Sequence, residues 1–331
     1  MSVDCVYVSA TWGIHDQRWT QALVTLGHNP AVVVVGRECS LEDVGSYVSA
    51  IAGDSLPVLA GPLTTITQHL IEQSPFLRVV GLSWGFDLFE LIAERNLAWL
   101  PLLAGVIVDS EPTKLITNAA GVDSKSVTFI PWGIDLDAFT PEGLRVDLSS
   151  LGLAQNSQVV LSLRAHEELY RVGDILEGFA QMADLEPDAV LVIGHSGSLT
   201  AALQARVAEL GLENRVRFIG TIAEAELAPW LRSAACYVTA SEVDGTSVTL
   251  LQAMACKTPV VASETPGNLG WVEDGVTGST FTTGSPASIA SALMTVLASD
   301  TTACVDRARD SVLTQANWNQ NITRLHDALF N

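Results

Sequence analysis

The chain has 331 residues, 48% hydrophobic and 16% charged, and this composition excludes a disordered protein. Its net charge is −20, from 37 acidic and 17 basic residues, which argues against nucleic acid and anionic lipid surfaces as partners. The length is sufficient for two domains, each with its own core.

Cysteine usage and the N-terminal sequence indicate the compartment. The five cysteines are odd in number and form no C-x-x-C pair, which argues for a reduced environment without disulfides or a zinc cluster. The segment "MSVDCVYVSA" has no basic flank and is interrupted by Asp4, unlike a signal peptide. The apolar runs are too short to span a bilayer. We therefore expect a cytoplasmic protein that neither spans a membrane nor contacts one peripherally; the oligomeric state is left open.

Short apolar runs alternate with helical patterns along the whole chain. Eleven runs read as buried parallel strands: "CVYVS", "AVVVVG", "LPVLA", "RVVGL", "AGVIVDS" and "VTFIP" in the first half, then "VVLSL", "AVLVIG", "VRFIG", "CYVTAS" and "PVVAS". Segments such as "QRWTQALVTLG", "LTAALQARVAELG" and "IASALMTVLAS" have helical spacing. Eleven strands exceed one small sheet, so we predict an α/β protein with two Rossmann-like doubly wound domains.

The domain boundary is predicted between Phe139 and Gln158, where the sequence is rich in turn residues. We expect domains at 1–145 and 146–315, and a C-terminal helix at 316–331 that packs back on the first domain. Ligands of open parallel sheets bind outside the carboxyl ends of the strands. Polar motifs follow the predicted strands in both halves: "TWGIHD", "SWGFD" and "PWGID", then "RAHEELY", "GHSGS" and "SEVDGTS". Their positions predict two sheets facing each other across a cleft.

Three motifs carry a family resemblance: "IPWGIDLDAFTP", "DGTSVTLLQAMACKTPVVAS" and "EDGVTGSTF". In this order and spacing they resemble the retaining glycosyltransferases of the GT-B fold, in the family usually called family 4. The resemblance implies that the second domain binds a nucleotide-diphosphate sugar and the first receives the acceptor. It also implies that no metal ion and no other cofactor is needed to hold the diphosphate. Cationic side chains and helix N-termini would then do so.

The resemblance assigns donor-binding roles in the second half. Arg164 occupies the place of the family's phosphate-binding arginine, and Tyr170 and Arg171 stand near its usual lysine partner. We expect all three residues in the donor site and rank Arg164 above Arg171 as the residue that holds the diphosphate. Asp244 matches the acid near the sugar hydroxyls, although Asp-Gly alone is also a common turn signal. Gln252 stands where the family has the acid that binds the ribose, and its amide can still donate and accept hydrogen bonds.

Two loops and one helix mouth complete the predicted donor site. The turn and first helical turn are expected at Gly245, Thr246, Ser247 and Val248, with backbone N–H groups facing the diphosphate. Gly194 and Gly197 form a glycine turn that lets the ligand approach, with His195 expected to be only a loop residue. Thr221 and Ile222 are expected beside the nucleobase.

Acceptor-side candidates follow two strands of the first half. Gly13 lies in the loop before the first helix, where His15 and Asp16 serve either as helix caps or as substrate contacts. Trp84 could stack on a sugar or lie in the core, and Asp87 is the favoured acid on the acceptor side.

The predicted reaction transfers a sugar from a nucleotide-diphosphate sugar to a hydroxyl acceptor, with retention of configuration at the anomeric carbon. Uridine is the expected nucleoside because it is frequent among the donors of the family. Arg164 and Asp244 are the expected catalytic residues. Gln252 and Gly270 replace acids that are common in the family, and they motivate one alternative, an inactive homologue that binds or regulates a partner. A further alternative is a pseudo-glycosyltransferase that uses a cyclitol donor. A dinucleotide-dependent dehydrogenase is disfavoured because no strand is followed by G-x-G-x-x-G.

Overall fold

The computed structural model describes residues 2–331, which form two compact units. The first unit runs up to Trp132 and includes Trp318–Asn331, and the second unit is Gly133–Asn317. The predicted break at residue 145 lies further along the chain than this division. Ile134 and Phe139 explain the difference, because both are buried in a hydrophobic cluster of the second unit.

Twelve strands and fourteen α-helices alternate along the described chain. The strands are β1 (Cys5–Ser9), β2 (Pro30–Val34), β3 (Val58–Ala60), β4 (Val79–Leu82), β5 (Gly105–Val108), β6 (Val127–Phe129), β7 (Gln158–Ser162), β8 (Ala189–Gly194), β9 (Val216–Gly220), β10 (Cys236–Thr239), β11 (Val260–Ser263) and β12 (Ser279–Phe281). The helices of the first unit are α1 (Ile14–Thr25), α2 (Val44–Ala52), α3 (Thr65–Gln73), α4 (Phe86–Ala93) and α5 (Glu111–Ala119), with α13 (Trp318–Asn321) and α14 (Thr323–Phe330). Those of the second unit are α6 (Val172–Met182), α7 (Thr200–Glu209), α8 (Glu224–Ser233), α9 (Val248–Ala255), α10 (Pro266–Leu269), α11 (Pro286–Ala298) and α12 (Thr302–Gln315).

The first unit is built on a six-stranded parallel sheet with the order β2-β1-β3-β4-β5-β6. In β1 every residue is buried, because helices cover both faces of the sheet, and this produces the continuous apolar run seen in the sequence. Val6 pairs with Ala31 on one side and with Val58 on the other.

The second unit has a six-stranded parallel sheet with the order β12-β11-β10-β7-β8-β9. Counted from β7, this is the 3-2-1-4-5-6 order of dinucleotide-binding sheets. The direction of winding reverses between β7 and β10, which pair through Cys236 and Val160. The carboxyl edge between these two strands is where ligands of such sheets bind.

The two-domain α/β prediction is confirmed, and each of the eleven predicted runs contains a strand. The twelfth strand, Ser279–Phe281, was missed because it has only three residues and lies at the edge of its sheet, half-buried at two of them. Among the residues expected to form a turn and the first helical turn, Ser247 is the N-cap and Val248 is the first residue of α9.

The C-terminal segment belongs to the first unit through side-chain contacts. The ring centroids of Trp318 and Trp19 are 5.2 Å apart. His28 Nε2 lies 2.9 Å from His326 Nδ1, and Arg78 Nε donates to the carbonyl oxygen of Leu329 at 3.3 Å.

Within residues 2–331, we find no individual helix with the length and apolar character needed to cross a membrane. The pair Pro286–Ala298 and Thr302–Gln315 meets these criteria only when taken together, and the two helices are bent by 106°.

Candidate active site

The switch point of the second sheet brings together two residues from distant parts of the sequence. Arg164 follows β7 and Asp244 follows β10. Arg164 Nη2 lies 2.8 Å from Asp244 Oδ2, and the two side chains are 15% and 14% exposed. The predicted cation and the predicted acid therefore form a nearly buried ion pair at the carboxyl edge of the sheet.

The guanidinium of Arg164 is held on three sides. It lies over the ring of Tyr170, with Cζ 4.2 Å from the ring centroid, and Nη1 donates to Ser247 Oγ at 3.4 Å. Burial works against its charge, but the Asp244 carboxylate outweighs that effect with help from Tyr237 and Tyr170, so the pKa of Arg164 is raised. The guanidinium is therefore charged and fixed in orientation before any ligand binds.

Ser247 also connects the ion pair to a helix N-terminus. It is the N-cap residue of α9, and its backbone is extended while its side chain makes no capping hydrogen bond. The first turn of an α-helix has N–H groups without partners inside the helix, and its dipole favours an anion. Arg164 and the start of α9 thus form a positive site that is balanced by Asp244.

Two opposing effects act on the pKa of the nearly buried Asp244 carboxylate. Burial raises its pKa, whereas Arg164 and the N–H of Gly245 oppose that change. The loop at Asp244 and Gly245 packs against Gly267 in α10, where a Cβ atom would overlap both of their carbonyl oxygens. Only a glycine at 267 allows this close approach.

Several buried polar atoms around this ion pair have no protein partner. They are Arg164 Nε, Thr246 Oγ1 and Asn268 Oδ1. Asn268 is fully buried, and its Nδ2 donates to the Ser263 carbonyl oxygen at 3.0 Å. Buried polar atoms of this kind are uncommon in folded proteins, and a ligand bound beside the ion pair would supply partners for them.

Gln252 and Val248 are positioned by α9. Val248 is the first residue of the helix, and Gln252 lies about one turn further along. The Gln252 side chain is mostly buried, with only 8% of the residue exposed. A solvated residue on an outer helix face would be more exposed, so the structure places Gln252 inside the unit.

The two glycines after β8 allow close packing between neighbouring loops. A Cβ atom at Gly194 would lie 2.6 Å from Leu163 and 3.4 Å from Ile222. At Gly197 it would lie 2.6 Å from the carbonyl oxygen of His166. Gly194 and Ile222 are therefore neighbours, as expected if they share one wall of a site, whereas Thr221 beside them is exposed.

His166, which the sequence reasoning did not single out, links these loops. Its Nε2 is 3.1 Å from the Gly194 carbonyl oxygen and its Nδ1 is 2.8 Å from Thr200 Oγ1. Burial lowers the pKa of His166, so the ring is neutral. The neutral ring donates from Nε2 to Gly194 and accepts from Thr200. His195 instead lies in an exposed turn with a φ angle of 73°.

Arg171 is held away from the Arg164 ion pair by its own partners. Its Nε lies 2.7 Å from Asp174 Oδ2, and Nη1 lies 3.6 Å from Glu242 Oε2. Arg171 precedes α6 with a φ angle of 46°, so it serves the start of this helix.

On the acceptor side, Gly13 and Asp16 form a helix cap. Gly13 N donates to Asp16 Oδ2 at 2.7 Å, and Tyr7 Oη donates to Asp16 Oδ1 at 3.0 Å. Burial is the largest influence that raises the pKa of Tyr7. Asp16 is fully buried. Of the two readings of Asp16, the structure shows the helix cap.

His15 lies within an aromatic cluster in the first unit. Its ring centroid is 5.2 Å from that of Trp84 and 4.7 Å from that of Trp132. Trp132 stacks at 5.9 Å on Trp318, and Arg18 lies over both rings. His15 and Trp84, predicted from separate motifs, are thus brought together.

Asp87 is three residues from Trp84 in the sequence, and its carboxylate is surrounded by hydrogen-bond donors. Its carboxylate accepts from Ser83 Oγ at 2.7 Å, Leu63 N at 2.8 Å and Leu88 N at 2.9 Å, and also from Trp84 N. Burial raises the pKa of Asp87 to about 6, although these hydrogen bonds lower it. The carboxylate holds the start of α4 and the neighbouring loop, so its observed contacts are structural.

Sequence reasoning missed Gly267 and His166 in the second unit, and Trp132 and Trp318 in the first, and it assigned no role to Asn268. The histidine in "RAHEELY", in the loop after β7, is the sequence signal that could have found His166. Trp318 lies far along the chain from its neighbours, and no sequence signal connects them. Across residues 2–331, no group of three or more His, Cys, Asp or Glu side chains is placed to hold a metal ion.

Comparison with known protein families resolves the affiliation of the second unit. The sequence profile described as glycosyl transferases group 1 matches residues 146–311, half of the chain. The chain belongs to the glycosyl transferases group 1 family. The matched segment contains Arg164, Asp244 and the whole of α9.

Curated group 1 relatives match part of the chain. The D-inositol 3-phosphate glycosyltransferase 2 of Catenulispora acidiphila is 30% identical over 198 residues, which are 57% of this chain and 46% of the relative. The D-inositol 3-phosphate glycosyltransferase of Geodermatophilus obscurus is 31% identical over 210 residues, or 58% and 47% of the two chains. The matches therefore span about half the length of these relatives.

Solved structures match nearly the whole fold at low sequence identity. Anabaena HepE in complex with UDP and glucose has a TM-score of 0.79, with 17% identity and 99% of both chains covered. The sucrose-phosphate synthase of Thermosynechococcus elongatus has a TM-score of 0.80, with 18% identity and 98% of both chains covered. These likenesses confirm the predicted GT-B fold.

Proposed function

We propose that this chain transfers a sugar from a nucleotide-diphosphate sugar to a hydroxyl acceptor, as a retaining glycosyltransferase of family 4. The observation that carries the proposal is the placement of Arg164 against the N-cap of α9 at the switch point of the second sheet. A fixed guanidinium and a helix N-terminus are the groups needed to stabilise a departing diphosphate.

Different donor-side residues bind different parts of the sugar nucleotide. Arg164, Gly245, Thr246, Ser247 and Val248 hold the diphosphate, and Asp244 accepts hydrogen bonds from sugar hydroxyls. Gln252 faces the ribose. On the base side, Thr221 and Ile222 lie next to the nucleobase, while Gly194 and Gly197 permit its approach. Tyr170 supports the Arg164 guanidinium from its face. Arg171 is given no direct part because two acids, Asp174 and Glu242, pair with it, whereas Arg164 has a single carboxylate partner.

Uridine diphosphate is the proposed nucleotide. Complexes of Anabaena HepE with UDP and glucose, and with UDP-glucose, support this choice by analogy of fold. The diphosphate is held without a divalent ion, because Arg164 and the α9 N-terminus supply the compensating charge.

The reaction breaks the bond between the anomeric carbon and the diphosphate oxygen and forms a bond from that carbon to the acceptor oxygen. Both events take place on the same face of the sugar, which retains its configuration. The departing diphosphate takes the proton of the acceptor hydroxyl. Arg164 stabilises the charge that develops on the diphosphate, and removal of one such preorganised donor typically costs about 3–4 kcal/mol in the transition state.

The acceptor is proposed to bind the first unit near His15 and Trp84. Support comes from their position after β1 and β4, at the carboxyl edge of the sheet where ligands of such folds bind. Asp16 holds the loop of Gly13 after β1, while Asp87 holds the segments after β3 and β4 through buried hydrogen bonds.

A rival proposal is a binding or regulatory protein without transferase activity. It is motivated by Gln252 and Gly270, which stand where acids are common in the family. A pseudo-glycosyltransferase with a cyclitol donor is the other alternative, and analysis of the product separates it from sugar transfer.

The decisive experiment is a transfer assay on the purified chain with a panel of nucleotide sugars and hydroxyl acceptors. We expect turnover with a UDP-sugar and an α-to-α or β-to-β anomeric outcome by NMR of the product. Arg164→Ala should reduce kcat at least about a hundredfold. Arg206→Ala is the matched control, because Arg206 lies on α7 and pairs with Glu177 and Glu209.

Two outcomes would contradict the proposal. Near-normal turnover by Arg164→Ala would remove this residue from leaving-group stabilisation. Stabilisation of the fold by a nucleotide sugar without any turnover would instead establish the binding-protein alternative. At a ligand concentration one hundred times Kd, such binding adds about 2.7 kcal/mol to the free energy of unfolding.

A further inference from the structure

Both arginines of the loop between β7 and α6 already have carboxylate partners. Arg164 is paired with Asp244 at 2.8 Å, and Arg171 is paired with Asp174 at 2.7 Å. A diphosphate carries two or more negative charges and needs positive partners of its own. A diphosphate that binds at Arg164 therefore competes with Asp244 for the charge of the guanidinium.

The Asp244 carboxylate occupies the anion position of this site. The guanidinium is fixed by Tyr170 on its face and by Ser247 at the N-cap of α9, so both the cation and the helix N-terminus are directed to the same place. Asp244 supplies the negative charge there. Without it, a nearly buried guanidinium beside a positive helix end would be left uncompensated, which is strongly destabilising.

We propose that Asp244 is an exchangeable counter-ion, which the donor diphosphate replaces on Arg164 and which is thereby freed to bind hydroxyls of the donor sugar. This inference rests on the proposed function and adds a coupling between its two halves. A nucleoside diphosphate alone frees Asp244 and leaves a buried carboxylate without a partner. A sugar nucleotide supplies hydroxyl donors to the same carboxylate, so it is bound in preference to the product.

The exchange also explains how the product leaves. After transfer, the sugar no longer contacts Asp244, and the carboxylate competes with the diphosphate for Arg164. The close packing of Gly267 against Asp244 and Gly245 fixes the loop backbone, so the exchange needs only side-chain rotation. Each ligand state thus leaves Arg164 with one anionic partner.

Calorimetric titration of UDP and of inorganic pyrophosphate tests the exchange. Asp244→Asn keeps the size of the side chain and removes the competing charge. We expect this variant to bind both probes at least about tenfold more tightly than the wild type. Asp244→Glu, which restores the charge, should return the affinity toward the wild-type value. Glu242→Gln is the matched control, since it neutralises an acid near Arg171 and should leave both affinities unchanged.

The sugar half of the coupling is measured with whichever sugar nucleotide the transfer assay turns over. In the wild type it should bind more tightly than its free nucleoside diphosphate, and Asp244→Asn should abolish that preference. Circular dichroism confirms that each variant is folded, and Asp244→Ala provides a second charge-free variant.

Failure of the exchange and failure of the proposed function give different results. Pyrophosphate and UDP affinities that are unchanged or weaker in folded Asp244→Asn and Asp244→Ala overturn the exchange, even if the wild type is an active transferase. Conversely, tighter pyrophosphate binding by both variants in a chain that turns over no sugar nucleotide supports the exchange and rejects the transferase.

Discussion

Gly267 approaches Asp244 so closely that no larger residue fits between α10 and the loop after β10. A Cβ atom at position 267 would overlap the carbonyl oxygens of Asp244 and Gly245. The backbone of the acid-bearing loop is therefore set by a glycine that lies more than twenty residues further along the chain.

The first prediction concerns this contact. Gly267→Ala should displace the loop, lower the free energy of unfolding by about 1–3 kcal/mol and reduce transfer activity. Gly270→Ala is the control within the same segment, because its Cβ would lie 3.5 Å from the nearest carbonyl oxygen and its backbone is right-handed helical. Thermal denaturation and initial-rate assays of both variants check this. Equal stability of the two would show that the loop adapts.

Gln252 should affect donor binding more than chemistry. It lies one turn into α9 and is mostly buried, and in the proposed function its amide contacts the ribose. Gln252→Ala should raise KM for the sugar nucleotide with kcat nearly unchanged, because ribose contacts are the same in the ground and transition states. Steady-state kinetics measure both constants. A loss confined to kcat would give Gln252 a role at the reacting atoms instead.

Asp87 should make stability depend on pH. Its pKa is about 6 in the folded chain and 3.8 as the ordinary value, so the folded state binds the proton more tightly. Protonation of Asp87 therefore stabilises the folded state by about 3 kcal/mol. This contribution to the free energy of unfolding is fully present below about pH 4 and is lost as the pH rises through 6. The side-chain amide of an Asp87→Asn variant does not titrate, so this variant lacks the effect.

The measurement is denaturant unfolding of wild type and Asp87→Asn at several values between pH 4 and 7. The difference in the free energy of unfolding, wild type minus variant, should fall with rising pH across this window. Other acids titrate in both proteins and cancel. A difference that is constant with pH would contradict the raised pKa of Asp87.

His28 should anchor the C-terminal helix. Its Nδ1 lies 3.0 Å from Asp4 Oδ2 and its Nε2 lies 2.9 Å from His326 Nδ1. His28→Leu keeps apolar volume but removes both hydrogen bonds, so it should cost about 1–2 kcal/mol and increase amide exchange in α14. The control is His69→Leu, since His69 is half-buried and its ring bonds within its own helix, to the Thr65 carbonyl oxygen. Equal exchange in the two variants would argue against the anchor.

Removal of divalent ions should leave transfer unaffected. Arg164 and the N-terminus of α9 supply the positive charge for the diphosphate in the proposed reaction. Turnover in excess EDTA should equal turnover with added magnesium chloride. A loss of activity in EDTA that added Mg²⁺ restores would assign part of the charge compensation to a metal.

The apolar runs predicted the sheets well because parallel strands buried on both faces have continuous apolar sequences, as in β1 and β8. Edge strand β12 was missed since its short sequence lacks that pattern. The division at Trp132 could not be predicted from the sequence either, because the contacts that assign Phe139 to the second unit involve residues far along the chain.

For the candidate site, family motifs located Arg164 and Asp244 but gave no indication that they pair in the absence of a ligand. Such a contact depends on how two loops converge at the switch point of the sheet. The motifs also favoured Asp87 as an acid, whereas the structure surrounds it with donors. Sequence position identifies the strand end at which a side chain lies, and the neighbouring loops decide whether the side chain remains available.

The first unit is discontinuous in sequence, since Trp318–Asn331 completes it after the whole second unit has passed. During synthesis on the ribosome, the sheet of the first unit is made before α13 and α14. Trp19 and His28 therefore gain their partners Trp318 and His326 only after the second unit has been synthesised. A premature stop that spares every residue of the second unit would still leave the N-terminal half unfinished, with part of its apolar surface uncovered and open to chaperones and proteases.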